Sequence, residues 1–234
     1  MSTSAVDLGA LYSAARHRIV DLIASSPPRS LDQICAATPD WTVHDVIAHL
    51  RGICEDVRTG NMDGVTTDPW TAAQVARHRD TPMADLLTGW AEDAPLIEGF
   101  LSSPDGASAY RAVFDIATHE ADLRGELQRT SCLENELGSY LMRQLVPNQI
   151  ANAADLSLAS LRVETDEGDF FGAMDASTVL RASRFELFRA LSGRRSRAQA
   201  MAFNWSCEDP SAYVDSMFIF GPRRTDLVET FAVE

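Results

Sequence analysis

Apolar residues in the first half of the chain recur at three- to four-residue spacing, which gathers them on one face of a helix. Leu8, Leu11, Ala15, Ile19, Leu22 and Ile23 mark a helix over residues 6–25, stopped by Ser25-Ser26-Pro27-Pro28. A short helix is expected over residues 31–36. The next start signal is clear. Thr42 suits an N-cap, Asp45 stands three residues later as an aspartate version of the capping box, and Trp41 and Val46 hold the two positions of a hydrophobic staple. Val43, Val46, Ile47, Leu50, Ile53, Cys54 and Val57 then share a stripe that ends near Gly60-Asn61. A weaker helix is expected over residues 70–79. Thr81-Pro82 opens another, through Leu86, Trp90 and Ile97 to Phe100; Pro104-Asp105-Gly106 is a turn, and a further helix covers residues 108–127. Four long helices before residue 130 is the count of an antiparallel four-helix bundle.

Beyond residue 130 the texture changes. One more helix is expected over residues 136–154, bridging the halves. Residues 160–164 and 170–173 read as short strands around the Asp166-Glu167-Gly168 turn, and residues 185–191 as a short helix with Gly193 just past its end. Residues 201–205 and 216–220 are further strand candidates. The pattern therefore predicts an α plus α+β protein, with a helical bundle over residues 1–155 and a small α+β domain over residues 156–234.

Composition narrows the function classes. The chain has 234 residues and a net charge of −14, and a field of that sign repels phosphate backbones and anionic lipid surfaces. Nucleic acid and membrane are thus poor partners, and no apolar run reaches the roughly 18 residues a span requires. Met1 to Asp7 carry no basic stretch leading into an apolar one, so no secretory signal is expected. Cys35, Cys54, Cys132 and Cys207 lie far apart, which argues against a cysteine zinc site and against a disulfide framework. A reducing cytoplasm is the simplest location. Arginines nevertheless concentrate in the last quarter, among them Arg194, Arg195, Arg223 and Arg224, a local cluster suited to a small anion.

The candidate chemistry lies on two helices. His49 sits at the edge of the apolar stripe, about 40° around the helix from Ile53 and about 60° from Val46. Asp115 and His119 are four residues apart and stack on one face, with Asp122 joining them within an arc of roughly 60°. Two imidazoles and one carboxylate form a ligand set for zinc and other divalent metals, and three protein ligands leave a coordination position open, as in catalytic sites. Asp122 then serves as an outer partner that orients an imidazole. Each residue also has a plainer reading. A lone histidine in such a place is more often a satisfied core-edge residue, and Asp115 with His119 an ordinary helix pair. His17 and His44 sit among charges, and His78, in Arg77-His78-Arg79-Asp80, reads as part of a solvated face. Cys54 falls about 140° around the helix from His49, away from the candidate site.

At these residues the chain resembles a known family. The run Trp41-Thr42-Val43-His44-Asp45-Val46-Ile47-Ala48-His49-Leu50 is similar to a motif of the mycothiol-dependent maleylpyruvate isomerase family, whose N-terminal domain is a DinB-like four-helix bundle. The run Asp115-Ile116-Ala117-Thr118-His119-Glu120-Ala121-Asp122-Leu123 resembles its second motif, and Phe185 to Ser196, with Gly193-Arg194-Arg195, resembles a segment of its small sterol-carrier-like α+β domain. The resemblance implies that His49, Asp115 and His119 ligate a metal, usually zinc. Family members usually carry Glu at the position of Asp115; Asp is one methylene shorter, so the metal must shift or the helices approach, and nickel, iron or no tightly held metal stay open as alternatives.

The resemblance also implies a cofactor, the low-molecular-weight thiol mycothiol. A metal-held thiolate would add to a small electrophilic substrate, giving cis–trans isomerisation after elimination or S-transfer without it. Arg194 and Arg195 are candidates for binding a carboxylate or cofactor oxygens, because guanidinium pairs with such groups in bidentate fashion. Their plainer reading is a solvated basic helix end. Two other function classes stay open from the sequence: a non-catalytic small-ligand-binding or regulatory protein on the same scaffold, and a metal-dependent hydrolase. Substrate and oligomeric state are not legible.

Overall fold

A computed structural model describes residues 6–229, so the reading of the chain's first residues as free of a leader lies almost entirely outside the described residues. The fold is helix-rich with one small four-stranded sheet, an α plus α+β architecture. No helix among the described residues is long and apolar enough to cross a membrane. The chain divides into two compact units at Thr130/Ser131.

The first unit is built on five helices: α1 (Leu8–Ala24), α2 (Val43–Thr59), α3 (Asp68–His78), α4 (Met83–Leu101) and α5 (Tyr110–Glu126). Helix α1 packs against α4 and α5, and so does α2, which closes a four-helix ring with α3 lying beside α2. Ile19, Val46, Ile47, Leu50, Leu86, Trp90, Ile116 and Leu123 are buried at its centre. Each aliphatic side chain removed from water in this way contributes about 1.5–3 kcal/mol. Charged pairs join the helices at the edge of this core. Arg18 grips the buried Glu120 through two bonds of 2.8 and 2.6 Å, tying α1 to α5, and Arg16 meets Glu98 of α4 at 2.8 Å.

The start of α2 is fully accounted for. The Asp45 N–H donates to Thr42 Oγ1 at 3.1 Å and the Thr42 N–H donates to Asp45 Oδ2 at 2.9 Å, the two halves of a capping box. The remaining first-turn donors find partners further off: the Val43 N–H reaches the Gln33 carbonyl at 3.0 Å and the His44 N–H the Leu31 carbonyl at 2.9 Å. This explains why the helix expected over residues 31–36 does not form. That stretch stays open after a 3₁₀ turn at Pro28–Ser30, with an isolated bridge between Ile34 and Thr42, and lends its carbonyls to α2. Gly60, at φ 73°, ends α2 in the left-handed conformation that glycine adopts without strain.

The second unit starts earlier than the expected boundary after residue 155. Helix α6 (Glu136–Asp155) contacts β1 (Leu161–Thr165) and α7 (Arg184–Leu191), and so belongs to this unit. Its periodicity matches that of a bundle helix, and only the surface it packs on assigns it. The sheet order is β2-β1-β3-β4, with β2 at Phe170–Phe171, β3 at Thr178–Ala182 and β4 at Asn204–Trp205. Strand β1 runs antiparallel to β2 and parallel to β3 (Val163 opposite Leu180), and β3 runs antiparallel to β4. β3 was not apparent from the sequence. The strand candidate at residues 201–205 shrinks to β4, because Ser196 and Gln199 form a capping box that starts α8 (Arg197–Met201). The candidate at residues 216–220 is no strand; it follows α9 (Ser211–Asp215) as turns.

Candidate metal centre

The capping box sets the phase of α2, and that phase carries His49, two turns into the helix, to the wall facing α5. There His49 meets Asp115 and His119. Their donor atoms all lie within 4.8 Å of one another. One carboxylate oxygen of Asp115, Oδ2, stands 3.6 Å from His49 Nε2, and the other, Oδ1, stands 3.7 Å from His119 Nε2. The aspartate thus spans both imidazoles despite its short side chain. A tetrahedral ion with bonds of about 2.0–2.1 Å spaces its ligand atoms about 3.4 Å apart, so the group can hold a metal ion after a small contraction. His49 and His119 are 3% and 6% exposed, whereas the Asp115 side chain is 36% exposed. Solvent therefore reaches the group from the carboxylate's side.

The other face of each ring decides its protonation pattern. His119 Nδ1 lies 3.1 Å from Oδ2 of the buried Asp122, the outer partner expected from the sequence. His49 Nδ1 lies 2.8 Å from Gln74 Oε1. The Gln74 amide nitrogen donates to Asp56 Oδ2 at 2.7 Å, which leaves its oxygen facing His49. Each Nδ1 thus has an acceptor within hydrogen-bond distance and each Nε2 turns toward Asp115, so a neutral ring with its proton on Nδ1 presents the Nε2 lone pair on the Asp115 side. That is the tautomer a metal ligand needs.

Trp41 covers this arrangement. Its ring centre lies 5.1 Å from that of His49 and 5.9 Å from that of His119, and the two imidazoles meet edge to face at 5.0 Å. Gln74 and Asp56 were missed in the sequence. Gln74 sits on the weakest helical pattern of the bundle, 25 positions from His49, and no spacing rule links them.

The remaining candidates have partners of their own. Arg195 is 2% exposed and committed within its own unit: it donates two hydrogen bonds to the Glu186 carboxylate, both at 2.6 Å, and one to Glu229 at 2.9 Å. Carboxylates of the protein thus occupy the positions a substrate anion would take. Arg194 donates to the Ser192 carbonyl at 2.8 Å. His78 is buried at 4%, not solvated as its neighbours implied; it lies 2.7 Å from an Arg51 nitrogen and 2.9 Å from Glu55. Burial and the adjacent Arg51 hold its pKa below the ordinary histidine value. Cys54 points away from the site and meets the Tyr12 hydroxyl at 3.4 Å. Burial, above all, pushes the Cys54 and Cys35 thiols up to about 11.

Comparison with known proteins returns no matching family model, no matching curated protein and no matching solved structure.

Proposed function

We propose that this protein is a metal-dependent enzyme that activates a low-molecular-weight thiol, mycothiol, for S-transfer to, or cis–trans isomerisation of, a small electrophile, with zinc as the metal. One observation carries the reading: two buried imidazoles turn their Nε2 atoms toward a partly exposed carboxylate, with an acceptor within hydrogen-bond distance of each Nδ1. A fully enclosed set of four ligands would serve structure; three ligands with one solvent-facing side serve exchange. A free thiol is mostly protonated at neutral pH, and a divalent ion held by His49, Asp115 and His119 would supply the charge that stabilises its thiolate.

The chain's own residues prepare that chemistry. An ion held here would have Asp115 as its anionic protein contact, with the buried Asp122 carboxylate orienting His119 from behind. Trp41 excludes water from one flank and strengthens the electrostatics inside. Cys35 and Cys54, buried and protonated, do not compete for the ion. Because Arg195 is already paired with Glu186 and Glu229, the anion-binding role does not extend to it.

The test is elemental analysis of the purified protein, followed by thiol titration of the cobalt-substituted form. One bound metal per chain, with a sulfur charge-transfer band growing as thiol is added, is the expected result. A bound metal whose spectrum ignores thiol would refute thiol activation in favour of a hydrolase. Absence of any bound metal would leave a small-ligand-binding protein on this scaffold.

A further inference from the structure

We propose that Gln74 is a positioning residue of this centre: held by Asp56 and seated against Gly52, it dictates which nitrogen of His49 carries the proton. The consequence for metal affinity rests on the metal reading above, whereas the effect on the ring is a property of the protein alone.

Three observations carry the proposal. First, Gln74 is fully buried, and a buried amide must satisfy both of its ends. Its nitrogen donates to Asp56 Oδ2, whose carboxylate also accepts from Asn61 at 2.9 Å and Arg77 at 2.8 Å through Oδ1. Reversing the amide would set its oxygen against the Asp56 carboxylate and its NH₂ against His49, so the orientation is locked. Second, with Oε1 facing the ring, His49 must donate from Nδ1, which in the neutral ring leaves the lone pair on Nε2. Third, the space for Gln74 is made by a glycine. A Cβ on Gly52 would lie 2.6 Å from Gln74 Cβ and 2.8 Å from its Cγ, so any larger residue there displaces the side chain. α2 thus supplies the ligand, the seat for the positioning residue and, in Asp56, the anchor that orients it.

The two imidazoles are supported differently. His119 leans directly on a carboxylate, Asp122, while His49 leans on a neutral amide that passes the hydrogen bond on to Asp56. An amide acceptor orients the ring without adding charge next to it. Gln74 therefore sets the ring without bringing a further carboxylate into contact with it.

The test measures the tautomer of His49 by nitrogen NMR on metal-free protein at a pH where both rings are neutral, alongside zinc affinity by chelator competition. The variants are Gln74→Leu, Gly52→Ala and Gln74→Glu combined with Asp56→Asn, with near-ultraviolet circular dichroism checking that each is folded. Wild type is expected to hold the His49 proton on Nδ1. Gln74→Leu and Gly52→Ala should divide it between both nitrogens and weaken zinc binding by roughly 10–100-fold, leaving the His119 signals unchanged. Gln74→Glu keeps an acceptor at His49 Nδ1 but sets its second oxygen against the Asp56 carboxylate, so the Nδ1 tautomer and the zinc affinity should return when it is combined with Asp56→Asn, whose amide can donate to that oxygen. An Nδ1 tautomer that survives in both Gln74→Leu and Gly52→Ala overturns the proposal. A tautomer that responds as expected in proteins that bind no zinc upholds the role of Gln74 in setting the ring and overturns the metal reading instead.

Discussion

His49→Ala separates a metal ligand from a core histidine. The apo protein loses stability in either case, because the change opens a cavity at a 3% exposed position and leaves the Gln74 oxygen without its donor, at a cost of about 1–3 kcal/mol. The melting temperature alone is therefore not diagnostic; its rise on adding metal is. An ion present at about a hundred times its dissociation constant adds about 2.7 kcal/mol to the folded state. For a chain of this size that is worth about 5–11 °C. Losing an outer partner costs roughly 10–100-fold in affinity, and losing a ligand costs more. Even a hundred-fold loss leaves only about 0.4 kcal/mol at the same ion concentration, so the metal-induced rise should fall to about 2 °C or less. The assay is thermal unfolding of wild type and variant, each with chelator and with zinc. A variant whose zinc-induced rise equals that of wild type would refute the assignment of His49.

Three further outcomes follow from the buried ionisable groups. Because the His78 pKa is depressed by burial and Arg51, the unfolded chain binds a proton on this ring that the folded chain refuses; stability should fall as pH drops below about 6.5, and urea midpoints across that range should lose this slope in His78→Gln. With Cys35 and Cys54 raised to about 11, only about one such thiol in a thousand is ionised at pH 8, so mass spectrometry after brief alkylation of the native protein should find the half-exposed Cys207 modified first. Arg195→Ala strips a buried cation from Glu186 and Glu229 and should lower urea stability by about 3 kcal/mol while leaving metal content unchanged; lost metal with unaltered stability would contradict the structural role given to Arg195.

The features legible in the chain alone were local. Helix periodicity placed all five helices of the first unit, and Thr42 with Asp45 announced the start of α2, since a capping box is complete within four residues. His49, Asp115 and His119 were legible as a candidate trio because each borders an apolar stripe, and Asp122 because it lies three residues from His119 on the same helix. Tertiary structure decided everything that depends on which surfaces meet. Gln74 becomes a partner of His49 only because Gly52 lets α3 approach α2, a fit no spacing encodes. His78 looked solvated among charged neighbours, yet packing turned it inward against Arg51 and Glu55. The stretch at residues 31–36 surrendered its expected helix because its carbonyls satisfy the first turn of α2. Helix α6 went to the second unit because its apolar face found a sheet there. Hydrogen bonds within one turn are written into neighbouring residues; partners across the chain are chosen by shape and burial, which arise only when the elements pack.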